Sequence, residues 1–294
     1  MPHVTRDNAE LYYEDLGEGP AIITTHGVSE NTLYWSLPGV TDRLVQAGYR
    51  VISTDMRAHG QTRCTGDDKG YDVDTIAEDF NAIADHLGLD RFHLLTHATG
   101  GMAGVHYAIN HHQRLLSLMS TDTGSATAPL PESETATDPD QAFERIDPSN
   151  HPLLAAMIAG QQARNPDERV VLPRVAMPDE VFLNRLHTSK YPEAAYAQLE
   201  CLLSLTKPAQ MVEFMSSFYD NPDPKIAGLR QISCPCLVLL GDHDVLFVKP
   251  SELMAREIPQ ATHVVMEGRG HMTAIEDPDW LADELITFLR STES

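Results

Sequence analysis

Apolar runs alternate with amphipathic stretches through most of the chain. Short apolar or alternating runs predict strands at residues 9–15, 21–25, 49–54, 92–95, 115–120, 236–240 and 263–266. Apolar residues three and four apart predict helices at 37–47, 74–87, 102–112, 252–257 and 277–289. Strands that alternate with helices in this way predict an α/β fold, with a mostly parallel sheet and helices on both faces.

The segment at residues 125–224 interrupts this alternation. Its first part, 126–147, is rich in proline, acidic residues and threonine, and predicts a long loop. Prolines open most of the apolar stretches that follow, which predict short helices at 152–162, 178–188, 192–205 and 208–218. We therefore expect a core formed by residues 1–124 and 225–294, and a helical cap (lid) inserted at residues 125–224.

The stretch 92–110 predicts a buried strand, a tight turn and a helix, which is the setting of a nucleophile elbow. The elbow pattern is Gly-x-Ser-x-Gly, with the nucleophile at the apex of the turn. This chain has Thr96, Ala98 and Gly100 at the three defined positions. Threonine is crowded where a small residue packs best, and the alanine at the apex offers no nucleophile.

Polar residues follow the predicted strands at their carboxyl ends, where an open parallel sheet binds its ligands. The stretches concerned are His26-Gly27-Val28, Gly241-Asp242-His243-Asp244 and Gly268-Arg269-Gly270-His271. Asp244 is the favoured candidate acid and His271 the candidate base. Asp122 is a rival acid, because it also follows a predicted strand. Asp242 and His243 are interpreted as loop residues and not as metal ligands.

Together these motifs resemble the α/β-hydrolase superfamily with a helical cap, of the serine esterase and lactonase type. Nucleophile, acid and histidine occur in the order that this fold uses. A further motif that resembles the superfamily is the stretch Asp55-Met56-Arg57-Ala58-His59-Gly60. The resemblance implies that His271 is the general base and that Asp244 orients it. It also implies an oxyanion hole formed by the backbone N–H groups of Val28 and Thr99.

The reaction class implied is transfer of an acyl group to water through an acyl-enzyme. His26, Gly27 and His97 are candidates for substrate contact. The stretches 241–250 and 268–272 resemble the serine-dependent macrolide esterases, so a macrolide lactone, and with it antibiotic inactivation, is the substrate prediction. The large apolar residues of the cap are expected to form its own core, with a minority lining an adaptable pocket. These residues are Met157, Met177, Phe182, Leu186, Tyr191, Tyr196, Met211, Phe214, Met215 and Tyr219.

Ala98 calls for a hypothesis of its own. The apex is normally strained, with a positive φ, so a β-carbon there is costly unless function requires it. A chain drifting without selection for activity should favour glycine at this position. We therefore hypothesise that the natural residue is serine and that this sequence is an inactivated variant. An aspartate or a cysteine nucleophile is an alternative, but Thr99-Gly100-Gly101 resembles the serine enzymes more than the aspartate-dependent families, which usually have tryptophan after the nucleophile.

The composition of the chain limits the kinds of partner that it is expected to bind. The formal net charge of −22 would repel phosphate backbones, which argues against nucleic acid. No apolar run is long enough to span a membrane, and residues 1–13 lack the features of a signal peptide, so we expect a cytoplasmic protein. The four cysteines do not form a zinc or redox pattern. We expect a small-molecule ester or lactone substrate, and no cofactor, metal or membrane partner.

Two other classes of function are compatible with an alanine at the apex. One is a natural, non-catalytic ligand-binding protein on a hydrolase fold. Without selection for activity, however, mutation should then have replaced Asp244 and His271 as well. The other is a nucleophile-free oxygenase or lyase, in which His271 and Asp244 act alone.

Overall fold

The computed structural model describes residues 2–130, 137–179, 181 and 183–293. The strands in this part of the chain are β1 (His3–Arg6), β2 (Ala9–Leu16), β3 (Ala21–Thr25), β4 (Arg50–Thr54), β5 (Arg63–Cys64), β6 (Phe92–His97), β7 (Leu115–Thr121), β8 (Cys236–Gly241) and β9 (Ala261–Met266). The helices before β8 are α1 (Leu33–Ser36), α2 (Val40–Gln46), α3 (Val73–His86), α4 (Ala98–His111), α5 (Pro152–Ala163), α6 (Pro192–Leu205), α7 (Pro208–Phe218) and α8 (Ile226–Leu229). Those after β8 are α9 (Val248–Glu257), α10 (Thr273–Glu276) and α11 (Pro278–Thr292).

The strands form one sheet in the order β1-β2-β4-β3-β6-β7-β8-β9, with β5 paired to β2. All pairs from β4 to β9 are parallel, while the pairs β1–β2 and β2–β4 are antiparallel. The α/β class and the mostly parallel sheet predicted from the sequence are confirmed. Because β3, β4, β6, β7, β8 and β9 run in one direction, the loops after them meet along one edge. We call these loops the strand-end layer.

The central strands are buried on both faces. Successive side chains along a strand point to opposite sides of the sheet, and Leu94 and Leu95 in β6 accordingly join two different apolar clusters. One cluster contains residues of α3, α4 and α9, and the other contains residues of α1, α2 and α11. This two-sided burial explains why the central strands read as continuous apolar runs.

The helix predicted at 37–47 is wrong in its bounds. The structure has two helices there, α1 and α2, separated at Gly39, whose φ of 89° is left-handed and cannot continue a helix. In the other direction, α4 begins at Ala98, four residues before the predicted start, because the glycines of the turn are already helical. Similarly, α9 begins at Val248.

The helix predicted at 178–188 is also wrong. Its described residues form turns and one 3-10 turn, Leu186–Thr188, while residues 180 and 182 lie outside the described part. Behind the proline that suggested a helix start, the apolar residues are not repeated beyond Leu186, and only Asn184 and Leu186 of the described residues are buried. Two strands were missed by the sequence analysis. These are β1, in which only Val4 is buried, and the two-residue β5.

The segment between β7 and β8, which we call the insertion (residues 125–224), contains α5, α6 and α7. Its described residues include no strand. Of the predicted long loop at 126–147, residues 126–130 and 137–147 have neither helix nor strand, and 131–136 lie outside the described residues. Within the insertion α5 packs on α7, while α6 packs on α10 of the strand-end layer. In the described chain, no helix combines the length and the apolar character needed to cross a bilayer.

Candidate active site

The sharp turn at the centre of the sheet joins β6 directly to α4. Ala98 is its apex, with a φ of 47° and a buried side chain. Gly100 passes so close to the loop after β3 that an added Cβ would lie 2.4 Å from the carbonyl oxygen of His26. Its own N–H donates to that oxygen at 3.1 Å. The local geometry is therefore that of the elbow predicted from the sequence, with a methyl group where the reacting atom would stand.

Backbone strain in the described chain is concentrated in the strand-end layer. Six non-glycine residues of the described chain have a positive φ, and four of them lie in the loops or turns that follow parallel strands. These four are Ser29 after β3, Ala58 after β4, Ala98 after β6 and Asp122 after β7. Such conformations persist only where the surroundings hold them, and they are typical of functional sites.

His271 and Asp244 are brought together although they follow different strands. The Nδ1 of His271 is 2.9 Å from the Oδ2 of Asp244, and Asp244 is fully buried. Asp122 is also fully buried, but its Oδ1 accepts the N–H of Gly241 at 3.2 Å and its Oδ2 accepts the hydroxyl proton of Thr273. The candidate base is therefore paired with Asp244, and the rival acid Asp122 is engaged in holding two loops.

Burial and neighbouring charges shift the pKa values of His271 and Asp122. Burial opposes a charge on the His271 imidazole, but the Asp244 carboxylate outweighs it and raises the pKa of His271 to about 9. Burial, together with the nearby charge of Asp244, holds the pKa of Asp122 well above its usual range.

The loop that carries His271 is held from two sides. The Glu276 carboxylate accepts the N–H groups of both neighbours of His271, that of Gly270 at 2.7 Å and that of Met272 at 3.2 Å. Burial raises the pKa of Glu276 to about 6. The ring of Phe247 stacks on the imidazole of His271, with centroids 5.4 Å apart. These contacts fix the direction of the ring that would accept a proton.

The loop after β3, residues 26–31, is the candidate oxyanion loop. The N–H of Gly27 donates to the Oε2 of Glu30 at 2.6 Å, and the N–H of Ser29 donates to the Nε2 of His59 at 3.2 Å. These two bonds fix the peptides on either side of the Val28 N–H. The other predicted donor, the N–H of Thr99, lies in the first turn of α4, where a helix has no carbonyl of its own to offer.

The predicted contact residues His26 and His97 have structural partners. The Nε2 of His26 accepts the N–H of Met56 at 3.2 Å and its Nδ1 is 2.8 Å from the carbonyl oxygen of Gly27, so both ring nitrogens hold backbone. Burial lowers the pKa of His26 to about 4. His97 is fully buried and stacks on Tyr34 with centroids 4.2 Å apart. Neither ring has the exposure of a pocket wall, whereas Gly27 passes beside Ala98.

The insertion reaches the elbow through α5 and the end of α7. The hydroxyl of Tyr219 is 2.6 Å from the hydroxyl of Thr99, and the side-chain amide of Gln161 donates to the hydroxyl of Ser29 at 3.1 Å. Most of the large apolar residues predicted for the cap core are buried, namely Leu186, Tyr196, Met211, Phe214, Met215 and Tyr219. Tyr191 is exposed, and Phe182 lies outside the described residues.

Tyr219 was expected among the large apolar residues of the cap, although not as a partner of the elbow. Three other residues of this site were missed by the sequence analysis: Glu30, Phe247 and Glu276. Each lies in a stretch that reads as an ordinary loop or helix end. A signal was available for Glu30, because a carboxylate three residues after Gly27 has the reach to bond back to that N–H. His243 lies at the rim, where it contacts Arg185 of the insertion. The cysteines are free thiols, and Cys234 and Cys236 are buried.

A comparison with known families decides the membership of the chain. A family model for the alpha/beta hydrolase fold matches residues 20–278. The chain belongs to this family. Among curated proteins, the chain is 38% identical to a non-heme haloperoxidase of Rhodococcus erythropolis over 112 residues, which are 38% of the chain and 39% of that protein. It is 36% identical to the non-heme chloroperoxidase CPO-A1 of Kitasatospora aureofaciens over 107 residues, or 36% of the chain and 38% of that protein. The chain thus spans about two fifths of the length of these relatives.

Solved structures resemble the chain over almost its whole length. An esterase from Exiguobacterium antarcticum has a TM-score of 0.78 at 20% identity, covering 98% of this chain and 99% of that one. The enol-lactonase from Burkholderia xenovorans LB400 has a TM-score of 0.72 at 19% identity, covering 98% of this chain and 100% of that one. At these identities the likeness concerns the fold.

Proposed function

We propose that this hydrolase cleaves carboxylic esters or lactones, with residue 98 as the nucleophile position, His271 as the general base and Asp244 as the acid that orients it. The observation that carries the proposal is the hydrogen bond of 2.9 Å between His271 and Asp244, at the same sheet edge as the elbow. The esterase and lactonase names among its structural relatives agree with this reaction class.

With a serine at the apex, the steps would be those of acyl transfer. The hydroxyl oxygen attacks the ester carbonyl carbon while its proton passes to His271, and the alcohol leaves with that proton. Water then attacks the acyl-enzyme, again with His271 as the base, and releases the acid. The N–H groups of Val28 and Thr99 would stabilise the negative oxygen in both steps, the second of them aided by the N-terminus of α4.

We further propose that the natural residue at position 98 is serine and that Ala98 inactivates this chain. Ala98 has a φ of 47°, a conformation that costs an alanine about 1 kcal/mol or more and that glycine would relieve. The neighbouring hydrogen bond between His271 and Asp244 is nevertheless intact. A chain from which a single hydroxyl has been removed has these properties, and the loss should lower turnover by about 10⁶.

The substrate proposal concerns the insertion, which we propose to be the cap. Tyr219 and Gln161 approach the elbow from its side, and its buried apolar residues continue into the cluster that contains Met102 of α4. A site roofed by apolar and aromatic groups suits a bulky acyl or lactone group more than a charged one. A macrolactone is the specific substrate that we propose to test first.

The experiment is Ala98→Ser, assayed on p-nitrophenyl acetate and on a lactone panel that includes a macrolide. We expect the rate to rise by at least about 10³ over the Ala98 chain. Ala98→Gly is the matched control, since it relieves the strain without adding a nucleophile, and Ala98→Ser/His271→Ala should return the rate to background. An Ala98→Ser protein that is folded but inert on the whole panel would contradict the proposal.

A second candidate is nucleophile-free chemistry, in which the chain abstracts a proton from a bound substrate as it stands. The observation in its favour is that His271 and Asp244 are paired beside an apex that has no hydroxyl. A reaction of the unaltered chain that His271→Ala abolishes would establish it. Tight ligand binding without any reaction, before and after Ala98→Ser, would favour the non-catalytic binding protein.

A further inference from the structure

Glu30 is a buried carboxyl group that the proposed triad does not use. It is only 4% exposed. Its Oε2 accepts the Gly27 N–H at 2.6 Å, and its Oε1 lies 3.6 Å from the Nε2 of His97. A Cβ built on Gly27 would be 3.0 Å from the Cβ of Ala98 and 3.1 Å from the Oε2 of Glu30. The carboxyl group is therefore a near neighbour of the apex, on the side of the oxyanion loop.

The hydrogen bond to Gly27 has a consequence for the next peptide. With the Gly27 N–H directed at Glu30 and the Ser29 N–H directed at His59, the Val28 N–H between them has one orientation. Removing the acceptor would leave the Gly27 N–H buried and unsatisfied, which is unfavourable. Rotation of that peptide would relieve the cost, and it would turn the Val28 N–H as well.

We propose that Glu30 is a positioning residue of the hydrolase, which sets the direction of the Val28 N–H through Gly27 and so completes the oxyanion hole. The proposal rests on the proposed function, because an oxyanion forms only if an acyl group is attacked at the apex. Glu30 takes no part in breaking or forming bonds to the substrate.

The protonation of Glu30 suits this role. Burial raises its pKa to about 8, against the opposing effect of the Gly27 hydrogen bond, so the group is mostly un-ionised at pH 7. The titratable groups that face it are His97, His271, Tyr34 and Tyr219, and His59 and Lys207 line the crevice beside it. A neutral acceptor holds the loop without adding a fixed negative charge next to the developing oxyanion.

The test adds Glu30→Ala or Glu30→Gln to the Ala98→Ser chain. Alanine removes the acceptor, whereas glutamine keeps an oxygen that accepts the Gly27 N–H. We expect Glu30→Ala to lower kcat by about 10–100-fold with KM changed less than about threefold, because the oxyanion contact is made mainly in the transition state. Glu30→Gln should keep kcat within about threefold. Inhibition by phenylboronic acid, which forms a tetrahedral adduct on the introduced serine, should weaken in parallel with kcat.

The pH profile supplies a readout that a merely structural role would not move. Above its own pKa, Glu30 carries a charge that helps to keep His271 protonated while His271 titrates, so Glu30→Gln should lower the pKa of His271. The rising limb of kcat/KM should then shift to lower pH by about half a unit or more. Glu200→Gln is the matched control, because Glu200 is a buried carboxylate in α6 that also accepts a backbone N–H, that of Leu172. Its profile should stay unchanged.

The proposal is overturned if kcat of the Glu30→Ala variant stays within twofold of its parent, or if glutamine fails to rescue the loss. An inert Ala98→Ser chain would instead defeat the proposed function. Glu30 is then tested in the Ala98 chain by amide NMR. Glu30→Ala should speed hydrogen exchange at Gly27 and shift the Val28 amide signal, while Glu30→Gln should not. Unchanged Gly27 and Val28 signals in Glu30→Ala would overturn the positioning role independently of activity.

Discussion

The strand-end layer is held together in one way and joined to the insertion in another. In the layer, buried carboxyl groups bond directly to the backbone of the loops, as Asp55 does to the N–H groups of Thr32 and Gln61. The insertion meets the layer mainly through side chains, such as the hydroxyl pair of Tyr219 and Thr99, besides a backbone bond from the Lys190 N–H to the Glu276 carbonyl oxygen. The geometry of the proposed catalytic residues is thus set within the core. The contact with the insertion depends instead on side chains that can be substituted one at a time. We expect chemistry and substrate access to respond to different substitutions.

The largest effect should come from the acid that is paired with the base. In the Ala98→Ser chain, Asp244→Asn should lower kcat by about 10³–10⁴, because the His271 ring loses its orientation and the partner of its positive charge. Asp122→Asn should cost less than about tenfold, since Asp122 bonds to Gly241 and Thr273 instead. Steady-state kinetics on one p-nitrophenyl ester measures both. Equal losses in the two variants would show that the acids share the role.

A smaller effect concerns stability against pH. The folded state raises the pKa of Glu30 from 4.5 to about 8, so its contribution is fully present below pH 4.5 and is lost as the pH rises through 8. Glu30→Gln cannot ionise and should avoid this loss. Urea unfolding of the unaltered chain and of Glu30→Gln should give similar free energies at pH 5 and differ by roughly 2–4 kcal/mol in favour of glutamine at pH 8.5. Parallel curves for the two proteins would mean that Glu30 is already ionised.

The smallest effect should come from the contact between insertion and elbow. Tyr219→Phe, again in the Ala98→Ser chain, removes one hydroxyl and leaves the buried ring in place. We expect KM to change by about two- to fivefold while kcat changes less than about threefold. The reason is that the lost bond joins the insertion to Thr99, and its loss leaves the contact between His271 and Asp244 intact. The matched control is Tyr191→Phe, at an exposed tyrosine of the insertion that contacts Asp279. A loss of kcat above tenfold would move Tyr219 into the chemistry itself.

The sequence was most informative where one signal reinforced another. The apolar strand, the glycines after it and the amphipathic spacing of α3 predicted the centre of the sheet and the elbow, and the polar residues after each strand predicted which side chains would meet. Residues 178–188 show the opposite case. A proline followed by one short apolar run suggested a helix, but the apolar face does not repeat over further turns, and the described residues there are turns.

The burial of Glu30 shows what local reasoning could not supply. Between Ser29 and Asn31 it reads as part of a polar, solvated loop, and carboxylates are rarely buried. Its burial depends on β6 and on the insertion, which lie some 70 and 130 or more residues away along the chain. The choice between Asp122 and Asp244 was of the same kind. Both follow strands of the sheet, and only the path of the loop after β9 decides which one faces His271.

The order of the sheet has a consequence for synthesis on the ribosome. β7 lies between β6 and β8, yet the whole insertion is translated between β7 and β8. At usual translation rates that interval is on the order of 10 s. During it, the strands that end in the elbow can pair with one another, while β7 presents an open apolar edge on which another nascent chain can add a strand. The same insertion that is proposed to roof the site thus prolongs the stage at which the growing chain is most prone to aggregate.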